Sequence, residues 1–200
     1  MLFEAKQFNS INGVQGLSER QMKEHYKLYE GYVKKANEIT KALKSVDHSK
    51  ANATYSDLRA LKMGYSFAVN AIKSHELFFE NISGNGTVQN GFVAQQLQKQ
   101  FGSIEQWQLD MQATGMAARG WVWLAFDWQN GSLFNYLGDA HDAFPVWHAT
   151  PLIALDVYEH AYFIDYGTTR ADYLTAFFKN IHWESVEALA VTLGMDKVQV

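Results

Sequence analysis

Asp156 and His160 lie four residues apart in a mainly apolar and aromatic run of the chain, Leu155 to Phe163. An ionised carboxylate that is buried without a partner is strongly destabilising, so another group must compensate Asp156. Two arrangements would do so: a hydrogen-bonded pair in the core, or a metal ion that takes both side chains as ligands. This run of residues by itself leaves both arrangements open.

The composition restricts what such a site is made of. The chain has 200 residues and no cysteine, so a metal must be held by histidine and carboxylate, and a cysteine nucleophile is excluded. A hydrophobic content of 48% and an aromatic content of 14% indicate a globular protein. The net charge of −4, without a basic run, argues against a nucleic-acid partner.

Targeting and membrane signals are missing from the sequence. No uncharged apolar stretch of about 18 residues occurs that would span a bilayer. The first residues show no basic segment followed by an apolar run, which is the pattern of a signal peptide. We therefore expect a cytoplasmic protein with no membrane partner.

Two amphipathic helices are predicted in the first half of the chain. Ser18 and Gln21 fit a capping box, and apolar or aromatic residues then recur at helical spacing. A second helix begins after Ser56 and ends in the Ser83–Gly86 turn. On its regular apolar stripe, His75 occupies a position where an apolar residue is expected.

The polar connection of residues 44–55 predicts that these two helices form an antiparallel hairpin. Positions at an equal distance from the connection face each other, which places His25 opposite His75. A single histidine on an apolar stripe is more often a core residue than a ligand. Two histidines at the same level of facing helices, in contrast, can both coordinate one metal ion, as a metal site in a helical hairpin requires.

The second half of the chain mixes helices and strands. We predict two helices, a β-hairpin with an Asn-Gly turn, a third strand and one or two terminal helices, over residues 89–100, 104–119, 121–138, 151–155 and 171–193. The predicted fold class is therefore α+β: an N-terminal antiparallel α-hairpin followed by an α/β domain with a three-stranded antiparallel sheet. We divide the chain into an N-terminal helical hairpin domain, residues 1–86, and a C-terminal α+β domain, residues 87–200.

Four side chains from these elements form one candidate ligand set: His25, His75, Asp156 and His160. One comes from each predicted helix of the hairpin, and two come from the end of the third strand. Three imidazoles and one carboxylate suit a first-row ion such as iron or manganese, and the same set could hold zinc.

Three motifs of the chain resemble those of the iron/manganese superoxide dismutases. They are His75–Asn81 (HELFFEN), Gly120–Leu124 (GWVWL) and Asp156–Tyr162 (DVYEHAY). The resemblance covers nearly the whole chain and implies the same fold. It implies disproportionation of superoxide to oxygen and hydrogen peroxide, with one iron or manganese ion per subunit.

The resemblance also implies roles for individual residues. It implies His75, Asp156 and His160 as metal ligands, together with a fourth ligand from the first helix, for which we take His25. It also implies two catalytic residues, Tyr32 and His141. Tyr32 would be the tyrosine beside the metal-bound solvent, and His141 would stand at the position of the Gln or His that donates a hydrogen bond there in the family. Glu159 would contact a second subunit, so we expect a homodimer or a tetramer.

The chain departs from the family pattern at two places. His25 lies one residue nearer to Tyr32 than the family spacing, and a gap-free alignment would put Glu24 at the ligand position. We favour His25 with a one-residue deletion, because a step of seven residues keeps His25 and Tyr32 on one helix face. Leu28 and Phe163 stand where the family usually has a polar pair of His and Tyr.

These departures motivate an alternative hypothesis, a metal-binding or structural relative that keeps the fold without dismutase activity. A metal-dependent hydrolase is less favoured, because no carboxylate of the ligand set is free to act as a general base. Superoxide is an anion, so a protein of net charge −4 needs local positive charge at the entrance to its site. The candidates are Lys27, Lys34, Lys35 and Arg170.

Overall fold

Two long helices form the first half of the fold. In the computed structural model, which describes residues 2–143 and 145–198, α1 spans Glu19–Ala42 and α2 spans Asp57–Asn81. Both helices begin where a serine side chain can accept a hydrogen bond from the first turn, as the sequence predicts. The α1 helix is continuous, without an inserted bulge.

The two helices run antiparallel. The rings of His25 and His75 lie 5.0 Å apart, and farther along α1 the ring of Tyr32 lies 6.2 Å from that of Phe67. Residue numbers thus rise along α1 as they fall along α2. The predicted hairpin, with its two histidines at one height, is confirmed as part of the fold.

The capping box predicted for α1 is only half present. The Ser18 hydroxyl accepts a hydrogen bond from the Gln21 backbone N–H at 3.1 Å. The reciprocal bond, from the Gln21 side chain to the Ser18 backbone, is replaced by bonds to residues 160 and 164. A tertiary contact has thus taken the side chain that local capping would use.

In the described part of the second half of the chain, two helices precede a sheet and three follow it. In chain order these are α3 (Phe92–Phe101), α4 (Ile104–Ala117), β1 (Trp121–Asp127), β2 (Ser132–Gly138), β3 (Ala149–Asp156), α5 (Phe163–Tyr166), α6 (Arg170–Lys179) and α7 (Trp183–Thr192). The antiparallel sheet has the order β2-β1-β3. The α+β class and the three-stranded sheet are therefore confirmed.

The strand β1 lies at the centre of the sheet and is buried along nearly its whole length. In its pairing with β3, Trp121 lies opposite Asp156, so the start of β1 meets the end of β3. On the other edge of β3, Asn81 at the end of α2 accepts a hydrogen bond from Ala154 N–H at 2.9 Å and donates one to the Leu152 carbonyl at 3.2 Å. The amide of Asn81 thereby fastens the helical hairpin to an edge strand whose backbone groups would otherwise lack partners.

The structure refines the predicted elements. The third strand is longer than the predicted 151–155, and the terminal stretch forms two helices, α6 and α7, which is one of the two predicted options. A short 3₁₀ turn at Asn9–Ile11 precedes α1. The initial segment is also tied to the hairpin, since Lys6 N–H donates to the Tyr29 hydroxyl at 2.9 Å. Among the described residues, no helix combines the length and the apolar character needed to cross a membrane.

Candidate metal centre

Four side chains converge between the helical hairpin and the sheet. One ligand-type atom from each of His25, His75, Asp156 and His160 lies within 4.8 Å of the others. The side chains of the first three are completely buried, whereas 25% of the His160 side chain is exposed. The structure therefore brings together all four residues of the candidate ligand set.

Different kinds of element position the four residues. His25 and His75 project from facing positions of α1 and α2. Asp156 is the last residue of β3, and His160 lies in the 3₁₀ turn Glu159–Ala161 that follows. The set depends on the packing of the hairpin against the end of the sheet, because neither part contributes all four side chains.

One oxygen of Asp156 is the common point of the cluster. The Nε2 atoms of His25, His75 and His160 lie 3.1, 3.6 and 3.1 Å from Asp156 Oδ2. The other carboxylate oxygen accepts the Tyr158 backbone N–H at 2.9 Å. A simple core pair needs one imidazole beside the carboxylate, and here three approach it.

The tautomer of His75 leaves a lone pair on the atom that faces the cluster. His75 Nδ1 lies 2.7 Å from the Ala71 carbonyl, which only accepts hydrogen bonds, so Nδ1 carries the proton. Burial lowers the pKa of His75 to about 3, so the ring is neutral. Its Nε2 is then unprotonated, and it has no hydrogen-bond partner among the described residues.

The electrostatics keep Asp156 ionised. Burial acts to raise the pKa of Asp156, but the charge of His160 and the hydrogen bonds from His160 and His25 outweigh burial and hold the pKa far below its usual value. At His160 the same two effects act on the pKa with opposite signs. Burial acts to lower the pKa of His160, and the Asp156 carboxylate raises it by more.

The donor set and its spacing fit a metal ion. For metal–ligand bonds of about 2.1 Å and angles of about 90–120°, neighbouring ligand atoms lie about 3.0–3.6 Å apart. The three distances from Asp156 Oδ2 lie in this range. The unpartnered Nε2 of His75 gives an independent indication, because a buried imidazole nitrogen is rarely left without a partner.

A hydrogen-bonded chain leads from the sheet to the edge of the cluster. The Trp121 indole N–H donates to His141 Nδ1 at 2.9 Å, and His141 Nε2 lies 2.9 Å from the Tyr32 hydroxyl. The ring of Tyr32 lies 5.5 Å from that of His75. The two residues predicted as catalytic, Tyr32 and His141, are thus in contact with each other beside the candidate ligands.

The structure distinguishes the two candidate ligands on α1, His25 and Glu24. His25 is fully buried in the cluster, whereas Glu24 is exposed and forms an ion pair with Lys27 at 2.7 Å. Leu28 and Phe163, the two apolar substitutions, are 41% and 49% exposed. In the isolated chain neither residue lines the buried cluster.

Most of the cations proposed to attract an anion have other partners. Lys27 is paired with Glu24 and Lys35 with Glu38. Arg170 donates to the Ala118 carbonyl at 2.7 Å and to the Tyr162 hydroxyl at 3.1 Å. Arg170 thereby helps to satisfy the carbonyl groups at the end of α4. Of the four, only Lys34 has neither an ion pair nor a side-chain hydrogen bond to a described residue.

Several residues that support the site were missed by the sequence analysis. Besides Gln21 and Asn81, Tyr173 is fully buried and donates its hydroxyl proton to the Asp156 carbonyl at 2.6 Å. Trp121 packs against His75, with ring centres 5.1 Å apart. For Gln21 a signal was available, since it lies one helical turn before His25 on the buried stripe. Nothing local distinguishes Tyr173 from an ordinary core aromatic.

Comparisons with known proteins agree with this geometry. Residues 89–189 match the model of the iron/manganese superoxide dismutases, C-terminal domain. The chain is 35% identical to the iron superoxide dismutase of Aquifex pyrophilus over 188 residues, which cover 92% of this chain and 88% of that relative. It is 36% identical to the iron superoxide dismutase of Cupriavidus metallidurans over 189 residues, or 92% of this chain and 94% of the relative.

A manganese relative matches as well. The chain is 38% identical to superoxide dismutase [Mn] 2 of Haloferax volcanii over 115 residues, which cover 57% of this chain and 58% of that protein. The chain is thus similar both to relatives named as iron enzymes and to a relative named as a manganese enzyme. With the family model matching half of the chain and two relatives matching over most of its length, the chain belongs to the iron/manganese superoxide dismutase family.

Proposed function

We propose that this protein is a superoxide dismutase that holds one iron or manganese ion with His25, His75, Asp156 and His160. The observation that carries the proposal is the buried set of three imidazoles around one carboxylate oxygen. Family membership supports it, and so does the pair formed by Tyr32 and His141 beside the cluster. The reaction converts two superoxide anions and two protons into oxygen and hydrogen peroxide.

The four side chains suit an ion that changes its charge by one. When bound, the ion supplies one-electron chemistry by alternating between its +3 and +2 states. With the metal bound, all three imidazoles, including that of His160, would be neutral, and the ionised Asp156 would give the donor set a single negative charge. The aromatic side chains around the cluster, including Phe79 and Trp121, exclude water and strengthen the effect of that charge.

The direction of the hydrogen bonds gives Tyr32 its part in proton delivery. The Trp121 indole only donates, so His141 Nδ1 must accept and the neutral ring carries its proton on Nε2. Burial lowers the pKa of His141 to about 4, which keeps the ring neutral. His141 therefore donates to the Tyr32 oxygen, and the Tyr32 O–H proton is left to point elsewhere.

We propose that this proton serves the substrate side of the site. Burial, and secondarily the Asp156 charge, raise the pKa of Tyr32, so its hydroxyl stays protonated at neutral pH. Tyr32→Phe keeps the ring and removes the proton. We expect that variant to retain metal while its activity at high superoxide concentration falls at least about tenfold. Unchanged activity would exclude Tyr32 from proton delivery.

The central experiment is a dismutation assay on purified protein loaded in turn with iron and with manganese, with metal content measured on the same samples. We expect at least one form to be active, His75→Ala to be inactive, and the exposed control His48→Ala to match the wild type. One bound ion per chain without activity in either form would reject the proposal. It would support instead the alternative of a non-redox relative.

The subunit arrangement is also a proposal. We propose a homodimer or tetramer in which Glu159 lies at the subunit contact, supported by the exposed apolar residues Phe163 and Ile164 beside it. Sedimentation equilibrium of the wild type and of a Glu159→Ala, Phe163→Ser double variant tests this, and a monomeric wild type would overturn it. The division into domains 1–86 and 87–200 remains a proposal, as does a cytoplasmic location.

A further inference from the structure

Gln21 is a buried amide that connects the first turn of α1 to the turn that carries His160. Its side chain is inaccessible to solvent, and its N–H donates to the His160 carbonyl at 2.6 Å. Its amide oxygen accepts the Ile164 backbone N–H at 3.1 Å. We propose that Gln21 is a positioning residue for His160, a role that rests on the metal site proposed above.

The amide of Gln21 occupies a break in the local backbone hydrogen bonding. In a continuous helix the Ile164 N–H would donate to the carbonyl of His160, four residues earlier. Here neither group has a backbone partner among the described residues, while Tyr162 N–H bonds back to the Glu159 carbonyl. The side chain of Gln21 lies between Ile164 N–H and the His160 carbonyl and satisfies both of them.

This inserted amide keeps the 3₁₀ turn and α5 from merging into one helix. Without it, the Ile164 N–H and the His160 carbonyl can bond each other directly, which rotates the peptide unit that follows the His160 α-carbon. Rotation there moves the imidazole relative to Asp156. The position of the His160 ring thus depends on a side chain from α1.

Gln21 also connects two candidate ligands. It lies one helical turn before His25, and His25 and His160 each place Nε2 3.1 Å from Asp156 Oδ2. His160 is the member of the set that most needs such support, because it lies in a three-residue turn and is the only one with an exposed side chain. A buried amide with both its bonds directed to one segment is well suited to hold it.

A neighbouring contact provides a matched control. The Ser18 N–H and hydroxyl both donate to the Asp165 carboxylate, at 2.6 and 2.7 Å, so Ser18 ties the same helix end to the same segment. Ser18 makes no hydrogen bond to the backbone of His160. Ser18→Ala therefore weakens the attachment of α1 without opening the space between His160 and Ile164.

The test compares Gln21→Met, which keeps the side-chain length and removes both hydrogen bonds, with Ser18→Ala and the wild type. Each protein is loaded with Fe³⁺ and examined by electron paramagnetic resonance, and its metal dissociation constant is measured by competition with a chelator. We expect Gln21→Met to show a changed rhombicity of the iron signal and about tenfold weaker metal binding. We expect Ser18→Ala to keep the wild-type signal.

An unchanged signal and affinity in Gln21→Met, or the same change in Ser18→Ala, would overturn the proposal. If Gln21→Met does not fold, Gln21→Asn provides the test with the same expected changes, because its amide is one methylene too short to bridge the Ile164 N–H and the His160 carbonyl. The outcome is separable from that of the proposed function. A wild type that binds iron and shows no dismutation rejects the function and leaves the spectral comparison valid.

Discussion

His75 and His160 belong to the same cluster but are held in opposite ways. His75 lies within a 25-residue helix, with Nδ1 fixed by the Ala71 carbonyl one turn earlier and no exposed surface. His160 lies in a three-residue turn, keeps a quarter of its side chain exposed and depends on Gln21 from another element. The difference shows that one site can combine a ligand placed by regular secondary structure with a ligand placed by tertiary hydrogen bonds.

The two histidines also respond oppositely to the charge that they share. Both are near Asp156, yet burial dominates at His75 and lowers its pKa to about 3, whereas the carboxylate dominates at His160 and raises its pKa. His160 is closer to the Asp156 oxygen, at 3.1 Å against 3.6 Å, and it is less buried. The shorter distance and the lesser burial both favour a higher pKa at His160 than at His75.

The largest expected effect comes from removing each histidine in turn. We expect His75→Ala and His160→Ala both to weaken metal binding at least about a hundredfold. Their effects on folding should differ. His75→Ala leaves a cavity in the core and should lower the free energy of unfolding of the metal-free protein by about 3 kcal/mol, against about 1 kcal/mol or less for His160→Ala.

Metal analysis and urea unfolding of the metal-free proteins measure both quantities, with His48→Ala as the exposed control. An equal loss of stability in the two variants would contradict the contrast between a ligand held by a helix and one held by a turn.

The next largest effect concerns the pH dependence of stability, to which His75 and His160 contribute with opposite signs. His75 and His141 have pKa values of about 3 and about 4 in the folded protein, below the usual 6.5. Between those values the unfolded chain binds protons that the native chain does not, so the free energy of unfolding falls as the pH falls below about 6.5. The raised pKa of His160 acts in the opposite sense, and its contribution is lost as the pH rises through its folded value.

We therefore expect the metal-free protein to lose on the order of 3 kcal/mol of unfolding free energy between pH 7 and pH 5. Denaturant titrations at four pH values measure this. His141→Gln, which removes one ring with a lowered pKa and keeps a donor and an acceptor, should reduce the slope by about a third, because burial lowers the pKa of His25 as well. A slope that is independent of His141 would exclude its part in the acid sensitivity.

A smaller effect is expected where the hairpin is fastened to the sheet. Asn81→Ala leaves the Ala154 N–H and the Leu152 carbonyl without partners, and we expect it to cost about 2 kcal/mol of unfolding free energy. The exposed Asn90→Ala should cost less than about 0.5 kcal/mol. Thermal unfolding of the two variants measures the difference. Similar melting temperatures would show that the amide of Asn81 is dispensable.

The smallest effect concerns the attraction of the anion. Lys34→Ala should lower the rate constant for superoxide at low ionic strength by no more than about twofold, and the difference should vanish in high salt. Lys27→Ala, which removes a cation already paired with Glu24, serves as the control. A larger effect of Lys27→Ala than of Lys34→Ala would show that the pairing does not cancel its charge.

Residues placed by local pattern were predicted well from the sequence. The helical hairpin, the three-stranded sheet and the facing positions of His25 and His75 follow from apolar periodicity, capping residues and the length of one connection. Their positions need only the regular geometry of helices and strands. The end of β3 was predicted nearly as well, which put Asp156 and His160 together in one short stretch.

Contacts between segments distant in the chain were not predicted. Gln21 fits a capping box by sequence, but its side chain bonds residues 139 and 143 positions away. The family resemblance placed Tyr32 and His141 beside the metal, but the chain Trp121–His141–Tyr32 and its donor and acceptor order are known from the structure alone. Pairings of this kind depend on how the hairpin packs against the sheet, and local propensity carries no information about that.

The sequence by itself thus determined the residue types of the site and the elements that carry them. The absence of cysteine and the His and Asp positions on predicted elements are properties of the chain taken segment by segment. Only the tertiary structure decided that three imidazoles share one oxygen of Asp156, and that Gln21 supports the turn of His160 instead of capping its own helix. The physical reason is that buried polar groups take whichever partners the packed elements bring within reach.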